Sequence, residues 1–274
     1  MIVGWIGLGE MGLPMAANLV AAGRRVLGYD HDAARLEPAM TAGVERAASL
    51  AEVAARADLV VSMVRTVAQT EAVLTGAGGL AAAVAEGRGL VVAVMSTLEP
   101  GSLQRLAAET APRLVVVDAP VSGGVRGAEA GTLSIMAAGP ALALDRLRPL
   151  FDVLGATVVD VGAEPGLGQA AKLANQVMMA VNLAGVLEAL TVARDYGVSE
   201  EAVRRTAGAG TGGSWVLEHW SWMTSLWEQY APGNALDILV KDLRAVVAET
   251  ARRGVDVPLT ALAFERLLGE WDLP

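Results

Sequence analysis

The chain has 274 residues, 53% of them apolar, with two histidines, no cysteine and a formal net charge of −9 at pH 7. The absence of cysteine excludes disulfides, thiolate catalysis and cysteine-ligated metals, and the acidic balance disfavours nucleic acids and anionic membranes as partners. No apolar run reaches the roughly 18 residues of a membrane span, and the first strand begins at residue 2 without room for a signal peptide, so we expect a soluble cytoplasmic protein.

The first predicted elements are a strand, a glycine-rich turn and a helix. An apolar run at 2–6 precedes the turn, and a helical pattern at 14–22 follows it. In such a turn the first glycine permits the tight bend, the second admits a pyrophosphate, and the third lets the helix pack on the strand. We therefore predict a dinucleotide site that is formed by Gly7, Leu8, Gly9, Glu10, Met11 and Gly12.

Asp30 ends the second apolar run, 25–29, and lies 23 residues after Gly7. A carboxylate at this place accepts hydrogen bonds from the adenosine ribose hydroxyls and repels a 2′-phosphate. The sequence therefore predicts NAD as the cofactor in preference to NADP. The alternative is that Asp30 is a surface residue in a tight strand–helix turn.

Five more apolar runs alternate with helical patterns, at 58–63, 89–94, 114–118, 132–136 and 156–160. Continuous apolar runs of this kind are typical of parallel strands that helices cover on both faces. We predict a Rossmann-type α/β domain over residues 1–162, in which the last two runs are edge strands of mixed direction.

No convincing strand follows Gly166. Helical patterns occupy 169–196, 199–207, 213–229, 235–253 and 258–269. We predict an all-α domain over residues 163–274, for substrate binding and dimerisation, joined to the first domain by the long interdomain helix.

The long helix carries the candidate catalytic pair. Lys172 and Asn175 are three residues apart, so they share a helix face, and alanine, leucine, valine and methionine surround them. Such a setting lowers the pKa of a lysine towards the range of acid–base catalysis at neutral pH. A solvated lysine on an amphipathic helix is the alternative.

Four motifs in chain order indicate a family. They are Gly7 to Asn18 (GLGEMGLPMAAN), Asp118 to Gly124 (DAPVSGG), the segment around Lys172, and Lys241-Asp242-Leu243. Together they resemble the β-hydroxyacid dehydrogenases, which include 3-hydroxyisobutyrate dehydrogenases, tartronate semialdehyde reductases and, more distantly, 6-phosphogluconate dehydrogenase. The resemblance implies an NAD(P)-dependent oxidoreductase that interconverts a small β-hydroxy acid and its aldehyde or keto partner, as a homodimer or homotetramer.

The resemblance also implies roles for individual residues. Lys172 would exchange a proton with the substrate oxygen, and Asn175 would hold that oxygen or a neighbouring hydroxyl. Ser122, Gly123 and Gly124 would bind the substrate carboxylate with a hydroxyl and backbone N–H groups. The other implied residues are Arg126, Trp215 and Asn234 for the substrate, and Met63, Val64, Ser96, Thr97 and Lys241 for the cofactor.

Some of these positions depart from the family or allow two interpretations. Asn234 stands where an aromatic residue is common, seven positions before Lys241. Trp215 is either a pocket wall or a packing and interface residue, because tryptophan is enriched at interfaces. Arg126 either pairs with a second acidic group of the substrate or is solvated. Neither His31 nor His219 has metal-ligand spacing to carboxylates, so we predict no metal.

Two other functions compete with the dehydrogenase. Imine reductases of the same fold usually lack the lysine and use NADP, so Lys172 and Asp30 disfavour that activity. The other is a non-catalytic dinucleotide-binding interaction module, which the presence of Lys172 also disfavours.

Overall fold

The computed structural model describes residues 1–228 and 235–270. The chain divides into two compact units, Met1–Lys172 and Leu173–Pro274. The predicted domain boundary at 162/163 stays a prediction, since the helix that contains residue 172 is continuous through the division.

The first unit is built on a mixed β-sheet. Its strands are β1 (Ile2–Ile6), β2 (Arg25–Tyr29), β3 (Glu45–Arg46), β4 (Leu59–Ser62), β5 (Leu90–Val94), β6 (Leu114–Asp118), β7 (Val121–Ser122), β8 (Leu133–Ala138) and β9 (Gly155–Gly162). The order is β3-β2-β1-β4-β5-β6-β8-β7, with β9 paired to β8. The first six are parallel in the order of a dinucleotide-binding fold, which confirms the Rossmann-type prediction.

The far edge of the sheet changes direction, as predicted for its last two long runs. β8 is antiparallel to β6, where Asp118 pairs with Ala138, and β9 is parallel to β8. The short β7 pairs with β8 in antiparallel fashion, which places Ser122 opposite Ser134. The two-residue strands β3 and β7 were not predicted, because a pair of residues has no hydrophobic periodicity.

Eight helices of the first unit lie between the strands: α1 (Gly12–Ala21), α2 (Leu36–Thr41), α3 (Leu50–Arg56), α4 (Val67–Leu74), α5 (Leu80–Ala83), α6 (Pro100–Thr110), α7 (Gly124–Ala130) and α8 (Ala141–Leu154). They cover both faces of the sheet, so alternate residues of one strand enter two different cores. Val61 belongs to the core that includes Trp5, whereas Val60 belongs to the core that includes Ile6. Burial on both faces explains why the strands are continuous apolar runs.

Helix α9 (Leu167–Asp195) begins in the first unit and continues into the second, which contains α10 (Glu200–Ala209), α11 (Trp215–Glu218), α12 (Trp220–Glu228), α13 (Ala235–Arg252) and α14 (Pro258–Glu270). Among its described residues the second unit has helices and no strand, with a core that includes Leu183, Leu217 and Trp220. The single helix predicted over 213–229 is interrupted at His219, which lies between α11 and α12.

α9 has the length and composition of a membrane span, with 29 residues and a mean hydropathy of 1.5 over its most apolar window. Core helices of water-soluble proteins have the same properties. The expectation that this protein has no membrane partner therefore stays a prediction.

Candidate functional site

The glycine-rich turn between β1 and α1 is closed by backbone contacts that tolerate no side chain. Gly7 has φ +94°, and its N–H donates to Tyr29 O at 3.0 Å. A Cβ at Gly7 would lie 2.4 Å from Met63 O, and a Cβ at Gly12 would lie 1.9 Å from Gly7 O. The first and third glycines are therefore required by packing, as the motif predicts.

The middle glycine has different surroundings. Among the residues that the structure describes, a Cβ built at Gly9 would meet within 4 Å only the Arg35 guanidinium, with Nη1 at 3.0 Å. Arg35 is exposed, so the Gly9 backbone borders a solvent-exposed side chain and not the protein core. A bare backbone beside the N-terminus of the ten-residue helix α1 is suited to a pyrophosphate. These residues thus fit a dinucleotide.

Asp30 is buried, and both of its carboxylate oxygens accept backbone hydrogen bonds. Oδ2 accepts from Leu8 N at 2.7 Å, and Oδ1 accepts from Asp32 N at 2.9 Å. An imidazole and a guanidinium lie near: His31 Nδ1 is 3.2 Å from Oδ1, and Arg35 Nη1 is 3.8 Å from Oδ2. Asp30 therefore orders the glycine-rich turn, and only its remaining lone pairs are available to a ribose.

The segment after β4 lies beside this turn, and the segment after β5 follows it along the same edge of the sheet. Met63 N donates to Ile6 O at 2.8 Å, and Met63 and Val64 are half-buried. Ser96 is buried and Thr97 is half-buried, directly after β5. Because the carboxyl ends of parallel strands meet at one sheet edge, these residues lie at the edge where such folds bind ligands.

The Ser122–Gly124 segment joins β7 to α7. Gly123 has φ +130° and Gly124 has φ +61°, backbone conformations that favour glycine. Ser122 is half-buried, whereas Gly123 and Arg126 are exposed. The hydroxyl and the backbone of this segment are thus partly open to solvent, and the exposure of Arg126 leaves both of its interpretations open.

Asn18 connects helix α1, which follows the glycine-rich turn, to helix α7, which follows Ser122. Its Nδ2 donates to Ala128 O at 2.8 Å and to Glu129 O at 3.3 Å, and so it links α1 to α7. Asn18 belongs to the first of the four motifs, but this linking role was not predicted from the sequence.

Lys172 lies in the second turn of α9 and is 6% exposed, although lysine side chains are seldom this buried. Asn175 follows one turn later, is half-buried, and donates from Nδ2 to Gln176 Oε1 at 3.1 Å. The structure thus excludes the alternative of a fully solvated lysine, and it places both residues on one helix.

A buried carboxylate caps the helix that carries Lys172. Asp118, at the end of β6, accepts at Oδ2 from the backbone N–H groups of Gly166 and Gln169, each at 2.9 Å. Burial raises the pKa of Asp118 to about 6, although the hydrogen bonds from Gln169 and the glycine N–H groups act in the opposite direction. The role of Asp118, and that of Gln169 three residues before Lys172, was not predicted from the sequence.

A second buried glutamine–aspartate pair lies within the helical unit. Gln176 Nε2 donates to Asp242 Oδ2 at 2.8 Å, and Lys241 Nζ is 3.2 Å from Asp242 Oδ1. Asp242 therefore connects Lys241 to Gln176, whose neighbour in the chain is Asn175. The candidate cofactor residue Lys241 is paired with a carboxylate in this structure.

The remaining candidates are in the helical unit. Trp215 is 47% exposed, stacks on His219 with ring centroids 4.2 Å apart, and meets Trp222 edge-on at 5.8 Å. Its exposure leaves both interpretations, pocket wall and interface residue, open. Asn234 lies outside the described residues. Within residues 1–228 and 235–270, no group of three or more histidine or carboxylate side chains is placed to hold a metal ion.

Two family models match nearly the full chain. Residues 2–162 match the NAD binding domain of 6-phosphogluconate dehydrogenase. Residues 166–268 match the NAD-binding domain of NADP-dependent 3-hydroxyisobutyrate dehydrogenase.

Individual relatives cover similar lengths. The chain is 34% identical to 3-hydroxyisobutyrate dehydrogenase of Pseudomonas aeruginosa, over 95% of this chain and 89% of that one. It is 36% identical to L-threonate dehydrogenase of Cupriavidus necator, over 97% and 89%. A solved structure of 3-hydroxyisobutyrate dehydrogenase from Mycobacterium tuberculosis with L-serine superposes with a TM-score of 0.85, at 28% identity, over 98% and 94%.

Imine reductases share the architecture. The enzyme from Streptomyces aurantiacus superposes with a TM-score of 0.67 at 22% identity, over 97% of this chain and 92% of that one. At this identity the likeness shows the fold alone.

Proposed function

The chain belongs to the β-hydroxyacid dehydrogenase family, and from that premise we propose that Lys172 is the general acid and base of its reaction, with NAD as the cofactor. The protein is an NAD(P)-dependent oxidoreductase that acts on the hydroxyl group of a small hydroxy acid. The nicotinamide dinucleotide supplies the acceptor or donor of the hydride. What this chain's residues contribute is binding, orientation and the movement of one proton.

The observation that carries the proposal is the burial of Lys172. Oxidation of a carbinol removes a proton from its oxygen, and reduction returns it, so a group that exchanges protons near neutral pH accelerates both directions. Lys172 is 6% exposed, so its amine lies within the protein and not on a solvated helix face. Asn175, one turn later on α9, is proposed to hold the reacting oxygen or a neighbouring hydroxyl with its amide.

The substrate carboxylate is proposed to bind at Ser122, Gly123 and Gly124. Ser122 offers a hydroxyl, and the two glycines, whose φ angles are positive, offer backbone N–H groups. Hydroxyl and backbone donors bind an anion without an arginine. This matters in a chain of net charge −9, where no global field attracts an acid.

The preference for NAD is proposed on the basis of Asp30. Its buried carboxylate, at the end of β2, would repel a 2′-phosphate, although Arg35 at 3.8 Å offsets part of that charge. We expect kcat/KM with NAD to exceed kcat/KM with NADP at least tenfold. Asp30→Ser should lower this ratio of NAD to NADP. A wild-type ratio in favour of NADP would refute this assignment.

The assembly and location are also proposals. The apolar side chains of Met178 and Val192 on α9 are exposed, which supports the expectation of a homodimer or homotetramer. The cytoplasmic location is proposed from the sequence alone. Light scattering after size-exclusion chromatography would decide between these assemblies and a monomer.

The test of the catalytic role uses a feature of the composition. Lys172 and Lys241 are the only lysines in the chain, so protein with ¹³C-labelled lysine gives two side-chain signals, which Lys241→Arg assigns. We expect the Lys172 signal to titrate at the pH where kcat/KM changes. We also expect Lys172→Met to lower kcat by about 10³-fold, with the Kd for NADH within threefold of wild type. Near-normal turnover in that variant would refute the proposal, and binding without turnover in the wild type would favour the non-catalytic module.

A further inference from the structure

The side chain of Gln169 is fully buried and uses every hydrogen-bonding group of its amide. Oε1 accepts from Leu98 N at 2.8 Å, while Nε2 donates to Ser96 O at 2.9 Å and to Asp118 Oδ1 at 2.8 Å. The bonds to Ser96 and Leu98 hold both sides of Thr97. A single amide thereby joins α9 to the segment after β5 and to the end of β6.

Asp118 completes the junction from the other side. Its Oδ2 accepts the two backbone N–H bonds at the N-terminus of α9, and its Oδ1 accepts the Gln169 amide. A carboxylate at a helix N-terminus satisfies N–H groups that the helix itself leaves unpaired. Rotation or sliding of the first turn of α9 would break these bonds together.

Lys172 lies three residues beyond Gln169, on the same helix face. We infer that Gln169, held by Asp118, is a positioning residue that fixes the Ser96–Leu98 segment relative to the helical turn that bears Lys172. The inference rests on the proposed function, in which Lys172 exchanges the proton, and on the cofactor-binding role that the family resemblance implies for Ser96 and Thr97.

The direction of each hydrogen bond makes the pair testable by exchange of its two side chains. In Asp118→Asn, the new amide faces the Gln169 amide, donor to donor. In Gln169→Glu, two buried carboxylates face each other. In the double variant, the amide introduced at position 118 donates to the carboxylate introduced at position 169. One donor–acceptor contact and the total charge are thereby restored, and only the bond to Ser96 O is lost.

We expect each single variant, and Gln169→Met, to lower kcat about 100-fold, because a displacement of about 1 Å at reacting groups costs this much. The double variant should recover at least tenfold over either single variant. The Kd for NADH should change far less than kcat, since the glycine-rich turn and Asp30, the other proposed cofactor residues, do not bond to Gln169. In the cofactor-free protein, the Leu98 amide should exchange with solvent at least tenfold faster in Gln169→Met, because its acceptor is gone.

Thr110→Val is the matched control. It removes a buried hydroxyl that bonds to Leu106 O at the far end of α6, and it should leave kcat and Leu98 exchange unchanged. If Gln169→Met behaves like Thr110→Val, or if the single losses simply multiply in the double variant, the inference is wrong. Lys172→Met, measured in parallel, distinguishes failure of the proposed function from failure of the positioning role. If Lys172→Met keeps its turnover, the proposed function is wrong. If Lys172→Met loses turnover while Gln169→Met keeps it, only the positioning role is wrong.

Discussion

The buried carboxylate of Asp118 predicts that stability depends on pH in an unusual direction. Its pKa in the folded protein is about 6, against 3.8 for the group in an ordinary environment, and desolvation is the main cause. The native state therefore binds the proton more tightly than the unfolded state does. The stabilisation from the protonated form is fully present below about pH 4 and is lost as pH rises through about 6.

The size of the effect follows from the two pKa values. One pKa unit corresponds to about 1.4 kcal/mol, so the full difference is about 3 kcal/mol. Between about pH 4.5 and about pH 7.5, the wild type should lose ~2 kcal/mol that Asp118→Asn, which cannot ionise, does not lose. Other titrating groups are common to both proteins and cancel in the comparison.

Hydrogen exchange of strand amides in the first unit measures this difference without assuming that both units unfold together. The amides of Val92 and Val117 lie in the central strands β5 and β6, so their slowest exchange reports opening of the sheet. The ratio of protection factors, Asp118→Asn over wild type at the same pH, should rise about 30-fold across that interval. A ratio that is constant with pH would show that Asp118 titrates normally, and the argument from burial would fail.

Three further predictions follow from the geometry. Gly12→Ala should lower the melting temperature, because its Cβ would lie 1.9 Å from the backbone oxygen of Gly7, whereas Gly9→Ala should fold normally and weaken NADH binding about tenfold. Calorimetry measures the first effect and fluorescence titration the second. Equal effects of the two substitutions would contradict the different surroundings of the two glycines. Ser122→Ala should raise the KM for the hydroxy acid about tenfold with little change in NADH affinity, measured by initial rates; an unchanged KM would remove Ser122 from the carboxylate site. Arg35→Ala should change the NAD to NADP ratio of kcat/KM further towards NAD, since it removes a cation beside Asp30; a shift towards NADP would contradict this.

Much of the fold could be predicted because its signals are local. The runs of Val, Ile and Leu in β4, β5 and β6 are buried on both faces, so the pattern needs no knowledge of neighbours. The break at His219 could not be predicted, because no glycine or proline occurs within residues 214–229 to mark it. Whether one helix or two forms there depends on tertiary packing, which outweighs propensity.

The parts of the candidate site that lie in one sequence motif could be predicted from the sequence. The contacts between residues that are distant in the sequence could not. Gly7, Gly12 and Asp30 belong to one continuous strand–turn–helix–strand pattern. Gln169 and Asp118 are 51 residues apart, and their hydrogen bond arises only when β6 and the start of α9 come together. The position of Gln169 one turn before Lys172 was the available signal, and composition alone does not separate it from an ordinary helical glutamine.

The anchoring of α9 at its first turn has a consequence for insertions and deletions. An α-helix advances about 100° per residue, so one residue added between Gln169 and Lys172 would carry the lysine to another face while the anchor stayed in place. The exposed residues Ala163 and Glu164 precede Gly166, where the hydrogen bonds to Asp118 begin. A residue added there would not change the angle between Gln169 and Lys172. Insertions or deletions at residues 163–164 should therefore be tolerated, whereas those between Gln169 and Lys172 should abolish turnover. Residues 163–164 are thus a defined place at which protein engineers can recombine this chain with its relatives.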